Sequence, residues 1–119
     1  MRDMSLLLER WAGWARSDAN NLGYPKIAVG FKNLTNLENP YYVTCSDDDG
    51  LMIDACISKL RQKRPVEFDL LFKYYYMNFS KRKLAKHYKC DEKNIRIKIM
   101  LAEGFIEGCL SMMNLNFDF

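Results

Sequence analysis

A chain of 119 residues, 49% of them hydrophobic and 28% charged, carries enough apolar material for one core of ordinary size and is not globally disordered. No run of about 18 apolar residues occurs, so no membrane span is expected. The net charge of +3 conceals an asymmetry: between Lys59 and Lys98 thirteen Lys and Arg meet four Asp and Glu, a local +9, and the remainder of the chain stands at −6. One strongly basic block in a weakly basic chain suits a localised polyanion-binding face, although a solvated helical surface has the same charge count.

The N-terminal stretch MRDMSLLLERWAGWARS predicts a helix over 3–17, with Met4, Leu7, Leu8, Trp11 and either Ala15 or Trp14 on one stripe. Glu9, Arg10 and Arg16 interrupt it, unlike the continuous apolar centre of a signal peptide, so a cytoplasmic location is the expectation. Both tryptophans read as core or interface anchors. A polar break then leads to Pro25, which suits the first turn of a short helix through about Phe31. Residues 33–45, punctuated by Asn and Pro, read as a loop.

Ser46 is placed to cap a helix running to about Lys63. Asp47, Asp48 and Asp49 in its first turn and Lys59, Arg61, Lys63 and Arg64 at its end match the helix dipole. Three adjacent carboxylates also raise a hard-cation reading. Consecutive helical residues point about 100° apart and cannot all converge on one ion, so the capping role is preferred. Pro65 opens a further helix over about 65–78, in which Phe68, Leu70, Leu71, Phe72 and the run Tyr74, Tyr75, Tyr76 are expected to be core with one exposed ring. Base stacking by the tyrosines is the alternative.

Residues 77–113, MNFSKRKLAKHYKCDEKNIRIKIMLAEGFIEGCLSMM, carry the functional signal. Ser80 and Asp91 stand where two N-caps would stand, each able to accept a hydrogen bond from an otherwise orphan backbone N–H. Leu84, Ala85 and Tyr88 form the apolar face of a short first helix, and Ile95, Ile99 and Ala102 that of a longer second one. A tight break at Lys89, Cys90 and Asp91 separates them. The pattern predicts a helix-turn-helix at about 80–100, supported by the preceding helix as in a three-helix DNA-binding unit.

Lys93 and Asn94, in the first turn of the second helix, are placed to reach base edges, Lys93 at guanine and Asn94 bidentately at adenine. Arg96 and Lys98 lie further along and reach bases or flanking phosphates. Ser80, Lys81, Arg82, Lys83 and Lys86 are placed to hold the DNA backbone, which sets register rather than specificity. The C-terminal half of the second helix (Phe105, Ile106, Cys109, Leu110, Met113) is expected to pack back against the N-terminal helices.

Cys45, Cys56, Cys90 and Cys109 show no C-x-x-C pair, and the lone histidine, His87, lies among lysines. Paired zinc ligands are missing and a disulfide framework has no support, so reduced thiols, mostly buried, are expected, with no metal and no cofactor. No Ser/His/Asp context, phosphate-cradling glycine loop or H-E-x-x-H is present, which argues against an enzyme. The fold expected is all-α, a single domain over 1–119 with about five to six helices.

The blocks LLERWAGWARS (Leu7 to Ser17), IAVGFKNL (Ile27 to Leu34), CSDDDGLMIDACISKL (Cys45 to Leu60) and AEGFIEGCLSMM (Ala102 to Met113) give the chain a resemblance, over nearly its whole length, to the phage antitermination protein Q family of lambdoid phages. The basic region also looks like the DNA-reading part of a sigma factor's promoter-binding domain. The resemblance implies a late-gene regulator that binds DNA at a phage late promoter, joins paused host RNA polymerase (with its sigma factor as a further candidate partner) and makes it ignore terminators. It would suit pairs of subunits on DNA.

The family often has two adjacent cysteines near position 45, where this chain has Cys45-Ser46, a departure that argues against a metal or redox role there. A conventional phage regulator acting only at initiation uses the same DNA-binding residues. A pure protein-interaction module, with an acidic partner for the basic block, is a third reading.

Overall fold

In the computed structural model, residues 3–17 and 44–113 are described, and they form five helices. These are α1 (Met4–Ser17), α2 (Asp47–Lys63), α3 (Pro65–Tyr75), α4 (Lys81–Tyr88) and α5 (Glu92–Met112). No strand occurs among the described residues, and the all-α class expected from the sequence is the class observed. The expected helix at 25–31, the loop up to residue 43 and the tail beyond Met113 lie outside the described residues.

α1 buries more than one stripe: Trp11, Ala12, Gly13, Trp14 and Ala15 are all buried in succession. The question of Ala15 or Trp14 therefore resolves to both. Each indole reaches a carboxylate on α2, Trp11 Nε1 donating to Asp54 at 3.2 Å and Trp14 Nε1 to Asp47 at 2.9 Å. Buried indoles need an acceptor, and these two bonds orient the rings as well as satisfying them. The three aspartates opening α2 thus do more than complement its dipole. Ser46 caps the helix as expected, its Oγ accepting from the Asp49 N–H at 3.2 Å.

A single junction residue, Arg64 (φ −140°, ψ 73°), joins α2 to α3, and Pro65 begins α3 where a missing N–H costs nothing. Leu70, Leu71, Phe72, Tyr75 and Tyr76 are buried, whereas Tyr74 is half-exposed. The aromatic run is therefore core with one ring partly free. Phe72 stacks on Tyr76 with ring centroids 4.5 Å apart, and Trp11 packs beside Tyr76 at 6.3 Å. α3 ends at Tyr75, three residues earlier than the periodicity predicts, because Asn78 adopts a left-handed conformation (φ 60°) that a helix cannot continue through. Arg16 of α1 donates from Nη1 to the carbonyls of Tyr75 (3.0 Å) and Tyr76 (2.8 Å), closing this helix end.

α5 is the long prop of the molecule and packs against α2, α3 and α4 and, more lightly, α1. Ile95, Ile99, Ala102, Ile106 and Leu110 bury one face along its length. Its C-terminal half packs back as expected, with one correction. Met113 is 40% exposed, although its Sδ still meets Cys56 Sγ at 3.6 Å. The four cysteines are free thiols; Cys56 is buried and the others are half-buried. Burial raises the Cys45 thiol to about 11 and the Cys56 thiol to about 12.

Candidate nucleic-acid interface

α4 is only eight residues long, and its hydrogen bonds show how so short a helix holds. At its start Ser80 Oγ accepts from the Lys83 N–H at 3.0 Å. At its end Lys89 turns left-handed (φ 55°, ψ 50°), letting the Cys90 N–H reach the Ala85 carbonyl at 3.0 Å and the Lys89 N–H reach that of Lys86 at 3.3 Å. This pair of bonds is a Schellman motif, here with a lysine where glycine is usual. Residues 89–91 then connect directly to α5, so the break expected at Lys89, Cys90 and Asp91 is present.

Asp91 occupies the N-cap position of α5 with an extended backbone (φ −74°, ψ 148°), but its side chain makes no cap hydrogen bond. The sequence places the residue correctly and overstates what its carboxylate does. Leu84 and Ala85 are buried and Tyr88 half-buried, as the apolar face of α4 requires. α3 fastens α4 through Lys73, whose ammonium donates to Asp69 at 2.9 Å and to the Tyr88 hydroxyl at 3.0 Å.

The nine residues expected to meet DNA do not all point alike. Arg82, Lys83 and Lys86 are exposed on the outer face of α4. Lys83 rests its ammonium 4.1 Å from the centre of the Phe79 ring, an attraction between cation and ring face that leaves the charge at the surface. Lys81 is half-buried and lies 5.4 Å from the Tyr74 ring, turned towards α3. Ser80 is exposed, and its hydroxyl is engaged in the cap. On α5, Lys93, Asn94, Arg96 and Lys98 are all exposed, and the helix sits on its Ile95 and Ile99 face.

Two neighbours escape a reading based on helix position and charge. Lys89, exposed at the turn, adds a cation between the two helices. Its signal was a basic residue inside a three-residue connection. Ile97, 45% exposed among the α5 cations, is apolar where charge is the rule. Among the described residues no group of three or more His, Cys, Asp or Glu could hold a metal ion, and no helix is long and apolar enough to cross a membrane.

A short, doubly capped basic helix followed at once by a long helix with an exposed basic N-terminal half gives an all-α protein with one strongly basic, exposed region. Comparison with known proteins narrows the class: the phage antitermination protein Q family model matches residues 1–118, and the chain belongs to that family. It is 44% identical over 118 residues to a probable antitermination protein Q of Acyrthosiphon pisum secondary endosymbiont phage 1, covering 98% of this chain and 80% of the relative. It is 32% identical to a prophage antitermination protein Q homolog of Escherichia coli K12, covering 99% of this chain and 93% of the relative. It is 33% identical to the antitermination protein Q of Escherichia phage 933W, covering 99% and 82%. No solved structure matches.

Proposed function

We propose that this chain is a transcription antitermination factor that binds duplex DNA near a phage late promoter, joins paused host RNA polymerase in the bacterial cytoplasm and carries it through terminators. The observation that supports this most is the set of exposed cations Arg82, Lys83, Lys86, Lys93, Arg96 and Lys98, on two consecutive helices of a chain whose relatives are named antitermination proteins. In this reading α4 and α5 are a helix-turn-helix resembling that of a sigma factor. The first turn of α5 enters the major groove, with Lys93 at guanine and Asn94 at adenine. Arg82, Lys83 and Lys86 grip the phosphates and fix register. Lys81, turned towards Tyr74, contributes less. Two subunits would sit side by side on the DNA, and polymerase would be met by other surfaces of the chain.

The test is transcription in vitro by host RNA polymerase from a phage late promoter followed by a terminator, beside a template whose promoter-proximal region is scrambled. Readthrough that requires both this protein and the intact region is the expected result. Sequence-selective binding without readthrough would instead make the protein a regulator of initiation. The absence of both binding and readthrough would overturn the proposal.

A further inference from the structure

Ile97 is out of place in its surroundings. It lies 45% exposed near the middle of the basic half of α5, flanked in sequence by the exposed Arg96 and Lys98. At about 100° per residue it projects roughly 160° away from Ile95 and Ile99, the residues that bury this helix against the core. By the same geometry Lys93, one turn earlier, lies about 40° to one side of it, and Asn94 about 60° to the other. Ile97 therefore points where these two point. Other exposed apolar residues of α5, Met100, Leu101 and Met112, lie beyond Lys98, the last basic residue of the chain. Ile97 alone among them has cations on three sides, Arg96 and Lys98 about 100° to either side and Lys93 one turn earlier, while Met100 and Leu101 follow one turn later.

A β-branched hydrocarbon bordered by three cations has little to gain from water, and those charges favour a polyanionic partner over an ordinary apolar one. The ligand that accommodates both is a duplex major groove, where phosphates meet the cations and the one apolar group on the base edges is the thymine 5-methyl. We infer that Ile97 is a specificity-determining residue that packs on the 5-methyl group of a thymine in the bound DNA. The inference rests on the helix-turn-helix reading above and adds to it a base and an atom.

The test separates the two. Duplexes are selected from a random-sequence pool on the full-length protein, and the best is remade with each thymine in turn replaced by deoxyuridine, which lacks only that methyl. Binding should weaken about fourfold at one thymine or two adjacent ones, a loss equal to about 0.8 kcal/mol per buried carbon, at 1.36 kcal/mol per tenfold change. Ile97→Ala should bind the thymine duplex about as weakly as the wild type binds the deoxyuridine duplex. It should no longer distinguish the two, while keeping its salt dependence and thermal stability.

Sequence-selective, salt-dependent binding with no thymine discrimination in the wild type would overturn the inference and leave the DNA reading intact. The same holds if Ile97→Ala retains the discrimination, or if it instead converts a dimer to a monomer in sedimentation, which would make Ile97 an interface between copies. Failure to enrich any duplex over random competitor overturns both.

Discussion

Trp14 donates its indole N–H to Asp47 at 2.9 Å, and its ring lies where a side chain on Gly50 would have to go: a Cβ built there would stand 2.3 Å from the ring. The N-cap turn of α2 and the middle of α1 are therefore fitted to each other by one hydrogen bond and one missing methyl. Gly50→Ala must displace an indole that is 4% exposed, in a core with no slack. It should destabilise the fold by about 3 kcal/mol, at the upper end of overpacking costs, as read by urea denaturation. Asp47→Ala, which leaves the ring in place and removes its acceptor, should cost about 1–2 kcal/mol.

The two helices of the basic face begin with caps of unequal strength. Ser80 makes its cap hydrogen bond and Asp91 does not. Ser80→Ala should accordingly cost about 1 kcal/mol, and Asp91→Ala a few tenths through the helix dipole alone. Equal losses in paired denaturation curves would mean that the Asp91 carboxylate caps α5 in solution.

Lys89 holds a left-handed conformation that an L side chain enters at a cost of about 1–2 kcal/mol. Lys89→Gly should raise stability by about 1 kcal/mol, whereas Lys89→Ala, which removes the charge and keeps the Cβ, should not. If the charge of Lys89 touches phosphate, both variants lose the same affinity for duplex DNA, so stability and binding separate cleanly.

On the proposed DNA face, Arg96→Ala should weaken binding to the preferred sequence by about 1–3 kcal/mol and relax the preference at one base pair. Lys86→Ala should weaken binding to all sequences alike and flatten the salt dependence by about one unit of slope. Lys81→Ala should change that slope by less, because its ammonium is directed to the Tyr74 ring. Salt titrations of the three variants on specific and random duplexes check each outcome.

Burial raises the thiol of Cys56 from 9.0 to about 12, with Cys109 beside it acting in the same direction. The folded chain thus holds this proton more tightly than the unfolded one. The stabilisation is complete below pH 9 and is lost as pH rises from 9 towards 12. The contribution of Cys56 to the unfolding free energy should fall by about 2 kcal/mol between pH 9 and pH 11. It does so beside falls of the same sign from Cys45, Tyr75 and Tyr76, so Cys56→Ala, less stable at neutral pH, should show a shallower total fall.

Much of this architecture is legible in the sequence because its signals are local. Ser46, Ser80 and Pro65 mark helix starts, and the 3.6-residue spacing of Ile95, Ile99, Ala102 and Ile106 marks a buried face. The early end of α3 was not legible, since Asn78 is permitted, not compelled, to turn left-handed. Nor were the partners of Trp11, Trp14 and Arg16, which depend on which distant groups the fold brings near. For the candidate site, charge and period locate the outward face. They do not reveal that Lys81 leans on Tyr74, because that depends on where α3 ends.

The contact from Arg16 to the end of α3 also bears on how the chain is made. Its two acceptors lie 59 and 60 residues further along, so the guanidinium has no helix end to close until Tyr76 has left the ribosome. At about 5–20 residues per second that wait is roughly 3–12 s, long compared with the formation of a helix. Asp47 and Asp54, the acceptors of the two indoles, emerge earlier, but the Trp11 ring waits as long as Arg16 does, for Tyr76. A chain stalled before residue 76 is thus the species most exposed to aggregation or to capture by a chaperone.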